Sequence, residues 1–256
     1  MNISLENHVV VITGGARRLG RAIALECVAS GASVAITYCS SADEAAHTLH
    51  AAQAVRVSSG QKIALFQCDL TQTPEISRLA GEVSATVGTP TALVNNAAIF
   101  RRTPFRETDL EAWEQAFDEH IATNLKAPYL LCKIFGDLFL QQQRGAIVNL
   151  ADIYGTRPLA NYTPYCLSKA GVIMLTQSLA KALAPHVRVN AIAPGTILPP
   201  SEHQNEADDI ATLLARIPLQ RLGTAEEIAQ TVAFLIGGPQ FISGAILPVD
   251  GVQSLR

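Results

Sequence analysis

Short apolar runs rich in β-branched residues alternate along the chain with longer segments in which apolar residues recur at helical spacing. This alternation is typical of a parallel sheet covered by helices on both faces. We therefore expect an α/β, doubly wound fold with seven parallel strands, forming one domain over residues 1–256. The predicted strands are residues 8–13, 33–37, 62–67, 91–96, 146–151, 187–192 and 245–249.

One predicted helix carries Tyr165 and Lys169, whose spacing of four residues places both side chains on the same face. Thr163 is expected to cap this helix, Pro164 suits its first turn, and Pro185 ends it. Doubly wound folds bind ligands beyond the carboxyl ends of their strands, so chemistry is expected in the loops at that edge.

A long polar connection, residues 198–209, follows the predicted sixth strand. Its position next to a strand end suits a lid over a substrate. An ordinary solvated loop explains the same composition equally well. Both interpretations stay open at this point.

Composition adds limits to this picture. The 256 residues carry a formal net charge of -3, with acids and bases interspersed, so nothing indicates a nucleic-acid partner. The five cysteines are scattered, without a C-x-x-C pair or metal-ligand spacing, which favours a reducing cytoplasm and predicts no metal site. No apolar run approaches the roughly 18 residues of a membrane span, and the N-terminus does not resemble a signal peptide. We expect a soluble, cytoplasmic protein.

The first predicted strand leads into the segment TGGARRLG, residues 13–20. Gly14, Gly15 and Gly20 allow a tight turn and a close backbone approach, and the following helix offers unpaired N–H groups. Glycines between a strand and a helix in this arrangement predict a loop that binds the pyrophosphate of a dinucleotide.

The end of the second predicted strand distinguishes between the two nicotinamide cofactors. An acid there would bind the ribose hydroxyls of NAD, but no acid occurs before Asp43. Arg17 and Arg18 instead offer positive charge to a 2′-phosphate, although either one could simply point into solvent. NADPH is therefore favoured over NADH. The side chains expected around its phosphate groups are Arg17, Arg18, Tyr38, Ser40 and Ser41.

Several motifs in register resemble the short-chain dehydrogenase/reductase family. They are TGGARRLG (13–20), CDL (68–70), NNAA (95–98), Asn124, YCLSK (165–169) and PGT (194–196). The resemblance covers nearly the whole chain. It implies a Rossmann-type fold, an NAD(P)-dependent oxidoreductase and, commonly, a homotetramer.

The resemblance also implies roles for individual residues. Tyr165 would be the proton donor, and Lys169 would hold the nicotinamide ribose and lower the pKa of Tyr165. Asn124 would complete a proton relay through water. Asp69 would meet the adenine, and the other implied cofactor contacts are Gly14, Leu19, Gly20, Leu70, Asn95, Ala97, Pro194, Gly195 and Thr196.

Three residues depart from the general family and resemble its pteridine reductase branch. Asp152 stands where most members have a serine, Arg18 stands where most have a glycine, and Phe100 matches an aromatic residue that stacks on the pterin. This branch implies NADPH-dependent reduction of a pterin, with Asp152 supplying protons to a ring nitrogen. Arg18 would lie between the cofactor phosphate and the pterin. Dihydrobiopterin, dihydromonapterin, dihydrofolate and an oxidised pterin are all compatible substrates.

Two other functions remain open. A carbonyl reductase of the same fold would act on an acyl thioester, a sugar or a steroid ketone, and would have no use for Asp152, Arg18 and Phe100. A non-catalytic sensor would bind NADPH and signal through a partner. The presence of Asn124, Tyr165 and Lys169 argues against the sensor, because a sensor does not need a proton relay.

Overall fold

Seven parallel strands form one sheet in the computed structural model, which describes residues 3–197 and 210–255. The strand order is β3-β2-β1-β4-β5-β6-β7. The strands are β1 Val9–Ile12, β2 Ser33–Tyr38, β3 Ile63–Gln67, β4 Ala92–Asn95, β5 Gly145–Leu150, β6 Val187–Pro194 and β7 Ile246–Val249. All seven predicted strands and the doubly wound fold are confirmed.

Helices connect the strands within the described residues. The α-helices are α1 Arg18–Ala29, α2 Ala42–Ala54, α3 Thr73–Thr86, α4 Leu110–Ile121, α5 Ala127–Gln141, α6 Thr163–Ala182, α7 Ile210–Ala215 and α8 Ala225–Gly237. A π-helical turn, Ala122–Lys126, joins α4 to α5, and 3-10 turns occupy Ile153–Gly155 and Gln253–Leu255. None of these helices combines the length and apolarity that crossing a bilayer requires.

The sheet is buried on both faces because successive side chains of a strand point in opposite directions. In β1, Val10 and Ile12 belong to one apolar cluster, with residues of α1 and α8 such as Ile23 and Val232. Val11 points the other way, into a second cluster that contains residues of α3 and α5. The two clusters pack against opposite faces of the sheet and so set where the loops that follow the strands begin.

The strand order reverses direction at β1, which lies between β2 and β4. The connections from β1 and β4 therefore depart to opposite sides, leaving a crevice beyond the carboxyl ends of these strands. The glycine-rich loop follows β1, and the segment containing Phe100 follows β4. The fold thus brings two of the predicted site segments to the same edge.

Helix α6 differs from the sequence-based expectation at its start. It begins at Thr163, so the cap position belongs to Tyr162, whose side chain makes no capping hydrogen bond. The N–H of Cys166, which a cap at Thr163 would bind, donates to the Tyr162 carbonyl oxygen at 2.9 Å. Pro164 lies in the first turn as expected, and the helix ends before Pro185. Residues 198–209, the predicted lid or solvated loop, lie outside the described residues.

Candidate active site

Asp152 is held at the carboxyl edge of the sheet, two residues after β5. Its backbone is extended, and its side chain caps the 3-10 turn that follows. In this cap, Oδ1 accepts a hydrogen bond from the Tyr154 N–H at 2.9 Å. Oδ2 accepts a hydrogen bond from the Tyr165 hydroxyl at 2.6 Å. One carboxylate oxygen therefore fixes the side chain to its own loop, and the other contacts the predicted proton donor.

Tyr165 and Lys169 lie one turn apart on α6, as their spacing predicted, and both are buried. The Lys169 ammonium donates to the Leu150 carbonyl oxygen at 2.7 Å and lies 5.7 Å from the centre of the Tyr165 ring. Gly155 lets the loop after β5 approach this helix, since a Cβ there would lie 3.0 Å from the Lys169 backbone. The loop and the helix are thus packed together at the site.

The electrostatics correct one expectation. Lys169 was expected to lower the pKa of Tyr165, but that pKa is raised well above its ordinary value, first by burial and then by the adjacent Asp152 carboxylate. Asp152 is within hydrogen-bonding distance, whereas the Lys169 ammonium is bound to a backbone carbonyl oxygen. In this state the phenol stays protonated, and its O–H group donates a hydrogen bond to the carboxylate.

The two charged neighbours are also shifted. Burial lowers the pKa of Lys169 to about 8, which the Asp152 charge opposes. Burial raises the pKa of Asp152, while hydrogen bonds from Tyr154 and Tyr165 and the charge of Lys169 act in the other direction. The three groups therefore form an electrostatically coupled cluster, in which the protonation state of each one shifts the pKa of the others.

Asn124 ties the segment after β4 to the helices of the site. Its side chain accepts from the Ile99 N–H at 2.8 Å and donates to the Ile99 carbonyl oxygen at 2.9 Å and to the Ser168 hydroxyl at 3.1 Å. It lies in the π-helical turn between α4 and α5, where the backbone departs from α-helical geometry. Asn124 therefore fixes the residue that precedes Phe100.

Phe100 contacts two tyrosines: Tyr162 at the cap position of α6 and Tyr165 within the helix. Its ring stacks on Tyr162 with centroids 4.3 Å apart and meets the edge of Tyr165 at 4.7 Å. Tyr162 is a site residue that the sequence reasoning missed. Its position at the helix start, three residues before Tyr165, is the signal that could have identified it.

His120 is a second missed residue, fully buried behind Tyr165 with ring centroids 6.3 Å apart. Its Nδ1 lies 2.6 Å from the Ala116 carbonyl oxygen, so Nδ1 carries the proton and Nε2 accepts from the Arg101 N–H at 3.4 Å. Burial lowers the pKa of His120, which keeps the ring neutral. The histidine thus supports the segment that presents Phe100.

The glycine-rich loop has the geometry of a phosphate cradle. Gly14 has a φ of +60°, and a Cβ on Gly20 would lie 2.1 Å from the Gly14 carbonyl oxygen. Asn96, a further missed residue, donates to the carbonyl oxygens of Thr13 and Gly14 at 2.9 and 3.0 Å. The cradle is therefore locked to the end of β4 and fits a dinucleotide pyrophosphate at the N-terminus of α1.

The two arginines of this loop are exposed. Arg18 has a φ of +51°, a left-handed conformation that is strained for a side chain with a Cβ. A glycine would adopt it freely, so keeping an arginine at this position costs stability. The Arg18 side chain lines a surface cavity of about 560 Å³ that also borders Thr224 and Glu226 at the start of α8.

The remaining predicted cofactor residues lie along the same edge. Tyr38 ends β2, Ser40 is exposed, and Ser41 caps α2 through its backbone alone. The Asp69 carboxylate accepts from the N–H and hydroxyl of Thr71, at 2.9 and 2.7 Å. Leu70 follows Asp69 and is half-buried, while Leu19 and Ala97 are half-buried beside the glycine-rich loop.

Asn95 is a predicted cofactor residue that is buried. Its side chain donates to the Asn149 side-chain oxygen at 2.8 Å, within the sheet rather than in the crevice. At the end of β6, the Thr196 N–H donates to Gln253 Oε1 at 2.9 Å. A Cβ on Gly195 would lie 2.7 Å from the same oxygen, so Pro194, Gly195 and Thr196 are fixed against the C-terminal turn. Gln253 had not been singled out from the sequence.

Comparison with known proteins places this geometry among dehydrogenases and reductases. The family described as Enoyl-(Acyl carrier protein) reductase matches residues 14–251. A 3-oxoacyl-(acyl-carrier-protein) reductase FabG of Staphylococcus epidermidis is 34% identical over 247 residues, which cover 96% of this chain and 98% of that protein. A 2-(S)-hydroxypropyl-CoM dehydrogenase 3 of Xanthobacter autotrophicus is 32% identical, with 98% of each chain covered.

A solved structure shows the same fold with a nicotinamide cofactor in place. It is described as a putative 2-deoxy-d-gluconate 3-dehydrogenase from Agrobacterium tumefaciens with bound NADP. Its TM-score is 0.85 at 30% sequence identity, and the superposition covers 100% of this chain and 99% of that one. The fold is therefore shared over nearly the full length of both chains.

Proposed function

The chain belongs to the short-chain dehydrogenase/reductase family of oxidoreductases, and from this premise we propose that it reduces a pterin with NADPH. The proposed reaction is the reduction of a ring C=N bond of a dihydropterin to the tetrahydro form. A bound nicotinamide would supply the hydride, and residues of this chain would position the substrate and move the proton.

The observation that carries this proposal is the hydrogen bond from the Tyr165 hydroxyl to Asp152 Oδ2, at 2.6 Å. A ketone needs neutral donors around its oxygen, and an ionised carboxylate opposes the charge that develops there. A pterin carries N–H groups and an amino group that donate to a carboxylate, and its ring nitrogen must gain a proton. A carboxylate at the centre of the site therefore suits a nitrogen heterocycle.

Each of the three central side chains has a role in this proposal. Asp152 accepts hydrogen bonds from the substrate and passes a proton to its ring nitrogen, which its raised pKa favours. Tyr165 would return a proton to Asp152 through their hydrogen bond, and solvent would replace the proton that the phenol gives up. Lys169 would hold the nicotinamide ribose, in addition to its present bond to the Leu150 carbonyl oxygen.

Phe100 would stack on the planar substrate ring. Its partner in the present structure is Tyr162, in a nearly parallel stack with an interplanar angle of 12°. Aromatic stacking contributes roughly 0.5–1.5 kcal/mol beyond area burial. The Phe100→Ala variant is therefore expected to raise the KM for a pterin by about twofold to tenfold, with a smaller change in kcat.

NADPH is proposed over NADH because no acid occupies the end of β2, while Arg17 lies exposed beside the cradle. Arg17→Gln is expected to raise the KM for NADPH and to leave the KM for NADH unchanged. Equal KM values for the two cofactors in the wild-type protein would contradict this preference.

The deciding experiment offers dihydrobiopterin, dihydrofolate and a β-ketoacyl thioester side by side and follows the consumption of NADPH. We expect the pterins to be turned over by the wild-type protein and their reduction to fall at least about a hundredfold in Asp152→Ser. Asp152→Asn is the matched variant that keeps the side-chain shape. Undiminished pterin reduction by Asp152→Ser would refute the role given to the carboxylate.

A carbonyl reductase is the second candidate, and the names of the similar proteins favour it more directly than they favour pterin reduction. The FabG relative is described as a 3-oxoacyl reductase, and its substrate is a ketone. With a ketone, Asp152 would act in its protonated form, as a donor to the substrate oxygen. Turnover of the thioester and not of the pterins would establish this second function.

A further inference from the structure

A polar cavity of about 330 Å³ lies at the opposite edge of the sheet from the candidate active site. It is bordered by residues at the amino ends of the strands: His8 before β1, Thr91 before β4, Gly145 in β5, and His186 and Arg188 at β6. Strand β5 spans six residues, which separates the two edges by about 20 Å at 3.3 Å per residue. The cavity is thus independent of the cofactor crevice.

Positive charge dominates this cavity. Two arginines, Arg144 and Arg188, and two histidines line it, and none of its lining residues in the described ranges is an aspartate or a glutamate. The pKa of His8 is lowered to about 4, first by burial and then by the charges of these two arginines. No carboxylate opposes this shift, so the cationic field in the cavity is uncompensated.

Arg188 is 9% exposed and is bound by neutral acceptors. Its guanidinium donates to the carbonyl oxygens of Leu235 and Ile236 at 2.8 and 2.7 Å, near the C-terminus of α8. Further bonds to the Gln240 side chain and the Ile242 carbonyl oxygen bring the total to four, whereas a guanidinium has five N–H donors. One Nη2 donor therefore has no partner among the described residues.

Arg144 contributes the accessible charge. Its Nη2 lies 3.3 Å from Nε2 of His8, whose Nδ1 is 3.1 Å from the Thr91 hydroxyl oxygen. Because Arg144 can only donate, Nε2 is the acceptor and the imidazole is neutral. A neutral nitrogen leaves the arginine charge unbalanced, and an anionic oxygen would be a stronger acceptor.

We infer that this cavity binds a small oxyanion, namely a phosphate group, either free or at the end of a larger metabolite. Arg144 and the remaining Nη2 donor of Arg188 would hold its oxygens. Because His8 lies beside Arg144, a bound anion would offset the positive charge that helps to lower the pKa of this histidine. The cavity volume lies at the lower end of the range of small-molecule sites, which suits a compact group.

Calorimetric titration with inorganic phosphate tests this site on the wild-type protein, on Arg144→Gln and on Arg56→Gln. Arg56 is an exposed arginine outside the cavity, so its variant controls for the change in net charge. We expect Arg144→Gln to weaken phosphate binding at least about tenfold, as for the loss of a charge-assisted hydrogen bond, and Arg56→Gln to leave it unchanged. NADPH-dependent turnover is expected to be equal in all three proteins.

NMR titration of the His8 ring protons locates the binding and separates it from the cofactor crevice. Phosphate is expected to raise the pKa of His8 by about one unit or more in the wild-type protein and in Arg17→Gln, but not in Arg144→Gln. A phosphate-independent His8 pKa, or full binding by Arg144→Gln, would overturn the inference. Tighter binding of phenyl phosphate than of inorganic phosphate would identify a terminal phosphate group, and the reverse order would identify the free ion.

Discussion

The two edges of the sheet arrange their charges in opposite ways. At the carboxyl edge, Asp152, Tyr165 and Lys169 combine a negative group, a proton donor and a positive group within one cluster. At the amino edge, Arg144 and Arg188 place charges of one sign around His8. A mixed cluster can move a proton among its own members, whereas a cluster of one sign is completed only by an ion from outside.

The largest expected effect is at the carboxyl edge. Tyr165→Phe removes the hydroxyl that donates to Asp152 and is expected to lower kcat by roughly 10²–10⁴-fold, the usual contribution of a positioned proton donor. Steady-state kinetics with NADPH and the preferred substrate measure the loss. Tyr129→Phe, on the exposed face of α5, controls for removing a tyrosine hydroxyl. A Tyr165→Phe enzyme with unchanged kcat would mean that Asp152 obtains its proton elsewhere.

The second effect concerns the buried lysine and the pH dependence of stability. The folded pKa of Lys169 is about 8, below its ordinary value of 10.5, so the folded state binds fewer protons between these pH values. The stabilising effect of the neutral amine is present above 10.5 and is lost as the pH falls through about 8. Over that interval the wild-type protein is expected to lose about 3 kcal/mol relative to Lys169→Met.

Urea unfolding of the wild-type protein and Lys169→Met, at several pH values across that interval, measures the difference. Lys181→Met removes a lysine from the exposed part of the same helix and serves as the control. Parallel pH profiles for the wild-type protein and Lys169→Met would show that the lysine stays charged when the protein folds.

The spacing of Tyr165 and Lys169 and the position of Asp152 could be predicted from the sequence because each depends on one helix or one strand end. The sign of the Tyr165 pKa shift could not. It depends on Asp152 lying at 2.6 Å from the hydroxyl while the Lys169 ammonium is engaged by Leu150, which are distances between separate elements. A motif fixes which groups are present but not which neighbour is nearest.

The residues that the sequence reasoning missed have a similar explanation. His120 reaches the site because α4 packs against α6, which brings its ring near Tyr165. It also accepts a hydrogen bond from the Arg101 N–H. Gln253 reaches the loop after β6 from the end of the chain. Neither residue type is rare, and neither lies in a recognisable motif, so only the tertiary arrangement identifies them. The amino-edge cavity likewise assembles residues near the starts of β1, β5 and β6, which are far apart in sequence.

A third, smaller effect tests the amino edge. The folded pKa of His8 is about 4, below its ordinary 6.5, so its contribution to stability is present above 6.5 and is lost as the pH falls toward 4. Because the ring is partly exposed, we expect a loss of about 1 kcal/mol relative to His8→Gln. Urea unfolding across this interval provides the measurement, with His47→Gln on α2 as the control. Equal pH profiles in the wild-type protein and His8→Gln would show that neither burial nor the arginine charges lower the pKa of His8.

Helix α8 joins the two edges and provides the smallest prediction. At its start, Thr224 accepts from the Glu227 N–H, and the Glu227 side chain accepts from the Thr224 N–H at 2.9 Å. At its end, the buried Arg188 binds the final carbonyl oxygens. Thr224→Ala is expected to lower the free energy of unfolding by about 0.5–1 kcal/mol, because the exposed N–H groups regain water when the cap is lost.

Thr224→Ser retains the capping hydroxyl and is expected to unfold at the same urea concentration as the wild-type protein. Equal destabilisation by alanine and serine would mean that the threonine methyl group, not the cap, stabilises this end of the helix. Arg188→Met is expected to cost more than Thr224→Ala, since it leaves buried carbonyl oxygens without donors. Comparing the loss in unfolding free energy of the two variants therefore compares two helix ends. Water can reach one of them, and a buried charge satisfies the carbonyl oxygens of the other.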